Sequence, residues 1–454
     1  MPEDLDKTIN RKSGFKYRPI DSKAQVRLLR ISYGSTYQDV NYKLETFRLA
    51  DLSSTFYRAL SYTWGHAPTI DDVREIQVDG QPFHVRRNLF DFLATAAGKG
   101  EGGLFFIDAI CINQLDDDER QFQVREMTRI YRHSSRVVAW LGSPGERDLD
   151  KVQALSQIEG TECTNWTAKQ WEGMKYLSYH EYWNRVWVVQ EVLLAPAMSV
   201  WCGFFSFPLL LFARASPAPI STSMRSRGSL NTLSRRYSPA QRIISHRTRV
   251  VPRPVRDVLA QGTEVGTLAE MTAALSRPHT IAETYQSSVP DLVHEVVRKF
   301  GMLACSDPRD KLYGFLGLLK DASKAQVRAD YTRDVRYAYR QALKLGLEEI
   351  YREQEPVVPG DWSRQSGYGE YLTYFREACD AFGMEEAESV DILSQVVVEL
   401  GLDTRLMDAM ADAQHENQFQ WNSVHVRVAP DLKEIVELAK PAPRVRDTCS
   451  AINS

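Results

Sequence analysis

One acidic residue interrupts an otherwise apolar stretch of predicted helix. The sequence RVWVVQEVLLA, residues 185–195, places Trp183, Trp187 and Leu194 on one helical face, and Glu191 shares that face because it follows Trp187 by four positions. Burying an isolated carboxylate is costly, or it shifts the pKa of the group. We therefore expect Glu191 to be paired, protonated or functional. If it is paired, the candidate partners are Arg136, Arg185 and Arg309.

Other reactive side chains are few and poorly placed for chemistry. Cys111 could act as a nucleophile, but a cysteine after a buried strand is usually a core residue. The six cysteines form no C-x-x-C pair, and the nine histidines show no paired spacing. The pattern therefore predicts no metal site and no disulfide framework, and it suits a reducing compartment.

The composition is that of a soluble globular protein. With 454 residues, the chain is long enough for two or three domains, and its net charge of −3 gives no electrostatic reason to expect nucleic acid or an anionic membrane as partner. Residues 1–16 lack the apolar core of a signal peptide, and no window reaches the roughly 18 apolar residues of a membrane span. We expect a cytoplasmic protein without a membrane span.

The first two hundred residues alternate strand and helix signals. The predicted strands are RLLRIS, KLETFRLA, YRALSYTW, a hairpin EIQVDGQPFHV that turns at Asp79 and Gly80, LFFIDAI and RVVAWLG. Between the last two, LDDDERQFQVREMTRIYRHS predicts a helix with Asp116 as N-cap and Glu119 as the second member of a capping box. A tryptophan-rich helical stretch covers 167–195. This order predicts an α/β fold with a doubly wound, mainly parallel sheet.

The composition changes abruptly after the helix that contains Glu191. From Val192 to Arg256 there is no Asp, Glu or Lys, and the segment is rich in Arg, Ser and Pro. Such a segment is typical of a disordered linker, or of translated non-coding sequence, more than of a nucleic-acid-binding arm. Beyond it, helical patterns predominate, including PDLVHEVVRKFGMLACS and DPRDKLYGFLGLL with Asp307 as N-cap.

These patterns divide the chain into four parts. We expect an N-terminal extension with two leading strands over 1–56 and an α/β domain over 57–203. A low-complexity Arg/Ser/Pro-rich linker or insertion follows over 204–260, and a mainly α-helical region over 261–454.

Four stretches of the sequence resemble the heterokaryon-incompatibility (HET) domain of filamentous fungi. They are YRALSYTWG at 57–65, the long block at 105–142, RVWVVQE at 185–191 and DPRDKLYGFLGL at 307–318. A block as long as 105–142 is a specific signal, unlike a short motif. The resemblance implies a role in non-self recognition when hyphae fuse and in regulated cell death. It also implies a partner, which is either a second copy of this chain or another incompatibility protein.

A weaker similarity connects the same segments to Toll/interleukin-1-receptor (TIR) domains. ALSY, FIDA and RVVAWLG are similar to the first three TIR strands, and the W-x-x-x-E pair Trp187 and Glu191 matches the helix that carries the glutamate of NAD-cleaving TIR proteins. The similarity implies a TIR-like fold, Glu191 as the catalytic residue, and NAD as a substrate, with no cofactor.

One carboxylate is sufficient for this chemistry. Nicotinamide leaves NAD without needing a proton, so a buried carboxylate has only to stabilise an oxocarbenium-like ribose. Ligands of doubly wound sheets bind at the carboxyl ends of strands. We therefore expect substrate-binding residues at Ser61, Trp64, Gly65, Asp108, Asn113 and Trp187.

Structural roles remain open for the same residues. Asp108 could bond loop amides, and Asn113 could cap the start of the following helix. Pairing of Glu191 with an arginine is slightly favoured over catalysis, because buried ion pairs are common and also perturb pKa values. In that case the protein is a non-enzymatic signalling and assembly module.

Overall fold

The computed structural model describes residues 14–34, 39–64, 72–158, 165–214, 238–248, 291–353 and 366–402. The chain divides into two compact units. The first unit comprises Met1–Asp291 and Leu303–Thr332, and the second comprises Leu292–Met302 and Arg333–Ser454.

The first unit is built around one sheet that contains nine strands among the described residues. The strands are β1 Gln25–Tyr33, β2 Val40–Arg48, β3 Arg58–Tyr62, β4 Val73–Val78, β5 Gln81–Arg86, β6 Gly103–Phe106, β7 Arg136–Trp140, β8 Met198–Cys202 and β9 Phe205–Pro208. The α-helices of this unit are α1 Arg87–Gly98, α2 Asp108–Cys111, α3 Asp117–His133, α4 Glu146–Ser156, α5 Ala168–Ser178, α6 Val186–Leu194, α7 Leu209–Arg214, α8 Pro239–Thr248, α10 Asp310–Tyr313 and α11 Asp321–Gln326. Helix α9, Val293–Phe300, belongs to the second unit. Short 3-10 helices cover Leu49–Ser54 and Glu181–Asn184.

The sheet is mixed, with strand order β5-β4-β2-β1-β6-β3-β7-β8-β9. The four central strands β6, β3, β7 and β8 are parallel neighbours. By contrast, β1 is antiparallel to β2 and β6, β4 to β5, and β8 to β9. The α/β class is confirmed, but the prediction of a mainly parallel sheet is wrong, because only the four central strands and the β2–β4 pair are parallel. The reason is that short connections produce antiparallel hairpins, whereas helical crossovers produce parallel pairs.

The direction in which successive central strands are added to the sheet changes at β3. Along the chain, β6 adds on one side of β3, and β7 and then β8 add on the other. Helices cover both faces, since Phe92 of α1 contacts Phe105 at a ring distance of 5.9 Å, whereas Tyr131 of α3 contacts Phe106 at 6.1 Å. Neighbouring residues of a strand point to opposite faces. The carboxyl ends of β3 and β7 therefore meet at the switch point where α/β sheets bind ligands.

Several local predictions are confirmed with changes of detail. The β4–β5 hairpin turns at Asp79 and Gly80, whose φ angles of 51° and 70° fit a tight hairpin turn. The Asp116 side chain caps α3 by accepting from the Glu119 amide at 3.0 Å, but the Glu119 carboxylate does not complete a capping box. The strand LFFIDAI is shorter than predicted, because β6 ends at Phe106. The Asp108 carboxylate accepts from the amide of the next residue at 2.8 Å, which favours a helical start over a strand.

Helix α6 differs from the predicted amphipathic helix. Most of its residues are buried, and the predicted inner face is the more exposed one, with Trp187 and Leu194 half-buried. Trp183 is fully buried in the preceding 3-10 helix. Helices α3, α8 and α10 all contact α6, so this helix has no broad solvent face. Glu191 is buried as predicted, but by surrounding helices rather than by an apolar stripe.

Part of the expected linker is folded. Within 204–260, β9, α7 and α8 are ordered elements, so the prediction of disorder is wrong for these stretches. Phe212 and Ile243 are buried, and Arg247 donates to the carbonyls of Val192 and Pro196. Buried apolar side chains thus stabilise these elements, and backbone carbonyls rather than carboxylates accept the hydrogen bonds of Arg247. The remainder of the predicted linker lies outside the described residues.

The N-terminal extension also belongs to the sheet. Strand β1 pairs with β6 through Leu29, Arg30 and Ile31, and β2 extends the sheet beyond β1. The first unit therefore has a continuous sheet from the predicted extension into the predicted α/β domain.

The second unit is helical, as the sequence predicts for the C-terminal region. Its helices are α9 Val293–Phe300, α12 Val335–Glu353, α13 Ser366–Phe382 and α14 Glu386–Leu400. Its buried side chains include Val296, Phe300, Tyr339 and Tyr374. None of the helices in the described ranges combines the length and apolar composition needed to cross a bilayer.

Candidate functional site

Glu191 lies in a group of side chains that we call the Glu191 cluster: the buried hydroxyl-bearing Ser61, Tyr131 and Tyr182, the half-buried Arg185, and Glu191 itself. The Glu191 side chain is 5% exposed. Ser61 of β3 donates a hydrogen bond to Glu191 Oε2, and the Ser61 oxygen is also hydrogen-bonded to the Tyr182 hydroxyl. The Tyr131 hydroxyl donates to the Leu60 carbonyl at 2.9 Å and also stabilises the ionised carboxylate. The direct partners of Glu191 in the described part of the chain are therefore neutral.

The predicted ion pair is not formed. Among the described residues, none makes an ion pair with Glu191. Arg309 pairs with Asp307 at 2.6 Å. Arg185 donates to the Tyr62 carbonyl and acts on Glu191 only through its charge. Direct pairing with an arginine is therefore wrong as the explanation of this acid. The backbone bond to Tyr62 holds the guanidinium near the cluster without neutralising it.

Burial raises the pKa of Glu191 from 4.5 to about 7. The positive charge of Arg185, the hydrogen bond from Ser61 and the nearby Tyr131 hydroxyl favour the ionised form and limit the rise, whereas the Asp108 charge adds to it. Both protonation states are therefore populated near neutral pH. A carboxyl group with this pKa can hold, release or accept a proton under ordinary conditions.

The fold assembles the cluster from β3, α3, α6 and the 3-10 helix before α6, which carries Tyr182. Ser61 precedes the last residue of β3, beside the switch point of the sheet. Tyr131 is in the last turn of α3, and Glu191 is on α6, which contacts α3. Because α3 and α6 belong to successive crossovers on one side of β3, the sheet topology brings their side chains together over Ser61.

Two further predicted site residues lie beside the cluster. Trp64 donates from its indole nitrogen to Asp108 Oδ2 at 3.0 Å, and both side chains are half-buried. Asp108 Oδ1 accepts from the Ala109 amide, which lies in the short helix α2 rather than in a loop. The charge of Asp108 nevertheless reaches Glu191 and raises the pKa of that residue. The structure therefore brings Ser61, Trp64 and Asp108 to the same edge as Glu191.

Two other predicted residues, Asn113 and Trp187, are placed differently. The Asn113 amide donates to Glu119 Oε1 at 2.7 Å, and its side-chain oxygen accepts from Leu115 at 3.2 Å, so its described contacts support the start of α3. Trp187 donates from its indole to Asp310 Oδ2 at 3.0 Å. Gly65 lies outside the described residues.

The sequence patterns did not reveal the residues that support the short helix α2, which begins at Asp108. Arg27 of β1 is 2% exposed, forms an ion pair with Glu119 at 2.6 Å and donates to the Cys111 carbonyl at 3.2 Å. The Tyr17 hydroxyl donates to the Ile110 carbonyl at 3.0 Å. An arginine among buried strand residues was the available signal for this pair. The cluster member Tyr182 carried no comparable signal.

Thiol and metal chemistry find no support at this site. Burial raises the pKa of Cys111 to about 12, so its thiol stays protonated, and it lies against the backbone of Phe105 and Ile107. Within the described ranges, no three His, Cys, Asp or Glu side chains are grouped to hold a metal ion.

Comparison with known proteins identifies the segment that forms this site. Residues 57–191 match the model of the family described as heterokaryon incompatibility protein (HET), and Glu191 is the last matched residue. The chain is also similar to heterokaryon incompatibility protein 6, OR allele, of Neurospora crassa, with 25% identity over 385 residues. That match covers 69% of this chain and 50% of the relative, so the chain spans about half the length of the curated relative it matches. No solved structure matches the chain. The chain therefore contains a segment, residues 57–191, that matches the HET domain.

Proposed function

We propose that this protein acts in fungal non-self recognition and the associated cell-death response, and that it does so by cleaving NAD at Glu191. The family match and the name of the Neurospora relative support the recognition role. The NAD step is supported by a single observation. Glu191 is a buried carboxyl group with a pKa of about 7, has no cation in direct contact among the described residues, and lies beside the switch point of the sheet.

The proposed reaction needs an ionised carboxylate near the ribose. The bond between the ribose C1′ and the nicotinamide nitrogen breaks, and its electron pair leaves with nicotinamide. Ionised Glu191 stabilises the positive charge that develops on the ribose, because a preorganised charge acts strongly in a water-poor site. Water then forms the new bond to C1′, and Glu191 accepts its proton, for which a pKa of about 7 is well suited.

The neighbouring residues have distinct roles in this proposal. Ser61 and Tyr131 hold the carboxylate, and the Arg185 charge maintains a fraction of it in the ionised form. Trp64 and Asp108, bonded to each other at the strand edge, contact the substrate. Because Glu191 is only 5% exposed, a ribose reaches it only after local opening. We expect self-association of the chain to favour this opening and thereby to raise the activity.

The test is NAD turnover by the purified full chain, measured as NAD loss and nicotinamide release. It is run in dilute solution and with the protein concentrated on a scaffold. Glu191→Gln keeps the shape and removes the charge, and Glu172→Gln, at an exposed position on α5, is the matched control. We expect turnover by wild type and Glu172→Gln, and none by a folded Glu191→Gln protein. Equal turnover by all three, or no turnover by wild type in either condition, would overturn the NAD step.

A second function is favoured by the satisfied hydrogen bonds of the cluster. Ser61, Tyr131 and Tyr182 are nearly fully buried and connect α6 to β3 and α3, which is also what a structural acid would need. In that case the protein is a signalling module that assembles with itself or with another incompatibility protein. The NAD assay together with a killing assay in fungal cells separates the two functions, because a structural Glu191 predicts no NAD turnover by wild type and killing that persists in a folded Glu191→Gln protein.

A further inference from the structure

A segment outside the family match packs tightly against the helix that carries Glu191. Residues 303–332 belong to the first unit. The Val186 amide donates to the Ala304 carbonyl at 3.0 Å, where α6 begins. A Cβ atom on Gly314 would lie 2.5 Å from Val186 Cγ1, so only glycine permits this approach. The motif DPRDKLYGFLGL is therefore in direct contact with α6.

Asp310 is the buried acid of this segment. It is 8% exposed, and each of its carboxylate oxygens accepts a hydrogen bond from an aromatic side chain. Oδ2 accepts from the Trp187 indole at 3.0 Å, and Oδ1 accepts from the Tyr331 hydroxyl at 2.7 Å. Arg309 donates to the Tyr331 carbonyl at 2.6 Å and thereby holds Tyr331, the second donor to Asp310, in place.

We propose that Asp310 is a positioning residue of the Glu191 site, which holds the Trp187 indole and thereby fixes the rotation of α6 one turn before Glu191. The part that concerns activity rests on the proposed NAD cleavage, and the structural part does not. The family match at 57–191 therefore does not contain every residue of the site, because Asp310 lies outside it.

The helix geometry connects the two residues. Side chains four positions apart lie on one helical face, so a rotation of α6 that displaces Trp187 also displaces Glu191. A hydrogen bond to an ionised carboxylate is stronger than one to a neutral acceptor. The Trp187 ring is only half-buried, so packing alone leaves it freer than the fully buried Trp183.

The protonation of Asp310 provides a readout that is independent of activity. Burial raises the pKa of Asp310 from 3.8 to about 6, with the Asp307 charge adding to the rise. The hydrogen bonds from Tyr331 and Trp187 and the charge of Arg309 oppose it. The Trp187 indole N–H should therefore sense this titration directly.

The first arm of the experiment observes the indole N–H resonances of the nitrogen-15-labelled full chain between pH 4.5 and 8. Trp187→Phe assigns the Trp187 signal. In wild type and in the control Asp321→Asn, at an exposed position of α11, we expect this signal to move with a midpoint near pH 6. In Asp310→Asn the movement should disappear, and the amides of 186–194 should exchange with deuterium about tenfold faster. Unchanged movement and exchange in Asp310→Asn would overturn the proposal.

The second arm measures NAD turnover by the same variants. We expect Asp310→Asn to lower kcat about tenfold, with a smaller change in KM, because it misplaces Glu191 rather than removing a substrate contact. If Asp310 acts through Trp187, the double variant with Trp187→Phe should be no worse than either single variant. Additive losses would overturn the proposal. If wild type shows no turnover, the proposed function fails, and the first arm alone decides whether Asp310 positions α6.

Discussion

Glu119 and Glu191 are two buried glutamates in the same unit, with side chains in opposite electrostatic situations. Their exposed fractions are nearly equal, at 6% and 5%. Glu119 is in direct contact with the guanidinium of Arg27 and also accepts the Asn113 amide. Glu191 contacts hydroxyl groups, and its nearest cation acts from a distance. Equal burial therefore says little about a carboxyl group until its partners are known.

The difference separates a structural acid from a candidate functional one. The Arg27–Glu119 pair holds the backbone of Cys111 and Asn113, at the end of the short helix that begins at Asp108, and the charge of Glu119 is compensated by direct contact. The charge of Glu191 is not compensated by contact, and its pKa rises to about 7. Such perturbed groups are concentrated at functional sites, although structural networks also produce them.

The largest expected effect comes from breaking the ion pair. Arg27→Met leaves the Glu119 carboxylate buried without a cation, so we expect the free energy of unfolding to fall by about 3–5 kcal/mol at pH 7. Urea unfolding followed by tryptophan fluorescence measures it. The double variant with Glu119→Leu should recover most of the loss, because it removes both charges. Arg185→Met, which breaks no ion pair in the described part of the chain, should cost much less. A loss below about 1 kcal/mol for Arg27→Met would contradict the comparison.

The pH dependence of stability gives the next largest effect. The folded pKa of Glu191, about 7, lies above the ordinary value of 4.5, so the folded protein keeps a proton that the unfolded chain releases. The contribution of Glu191 to stability is therefore fully present below pH 4.5 and is lost as the pH rises to about 7. Relative to Glu191→Gln, we expect wild type to lose on the order of 3 kcal/mol over this window.

Unfolding curves of both proteins at a series of pH values test this expectation. Asp310→Asn is a useful contrast, because its difference from wild type should develop at lower pH, between 3.8 and about 6. Parallel stability curves for wild type and Glu191→Gln would mean that the carboxyl group is solvated like an ordinary glutamate.

The smallest expected effect concerns the hydroxyl partners. Ser61→Ala removes a donor that favours the ionised carboxylate, so the pKa of Glu191 should rise above 7 and the upper end of the stability window should move with it. The cost in stability should be about 1 kcal/mol. Ser135→Ala removes a hydroxyl that donates to the Tyr57 carbonyl at 2.7 Å and should cost a similar amount without moving the window. A window that stays in place in Ser61→Ala would show that the hydroxyl does not act on Glu191.

Much of the fold could be predicted from local patterns. The hairpin at Asp79 and Gly80, the cap at Asp116 and the apolar strands β3 and β7 all follow from short-range sequence rules, since their causes lie within a few residues. Apart from this hairpin, the antiparallel pairs were missed because hydrophobic periodicity does not encode strand direction. The folding of α8 was missed because its buried arginine is satisfied by distant carbonyls.

The candidate site divides in the same way. Sequence alone determined that the segment around Glu191 is apolar enough to be buried, although the helices packed around α6 bury it, and it indicated Ser61, Trp64 and Asp108 at strand ends. Tertiary structure alone decided the partners of Glu191. Ser61 is 130 residues away along the chain, and no local pattern records which side chain a long-range contact will present. Burial is largely a property of a segment, whereas pairing is a property of the topology. The chemistry of this acid depends on the pairing.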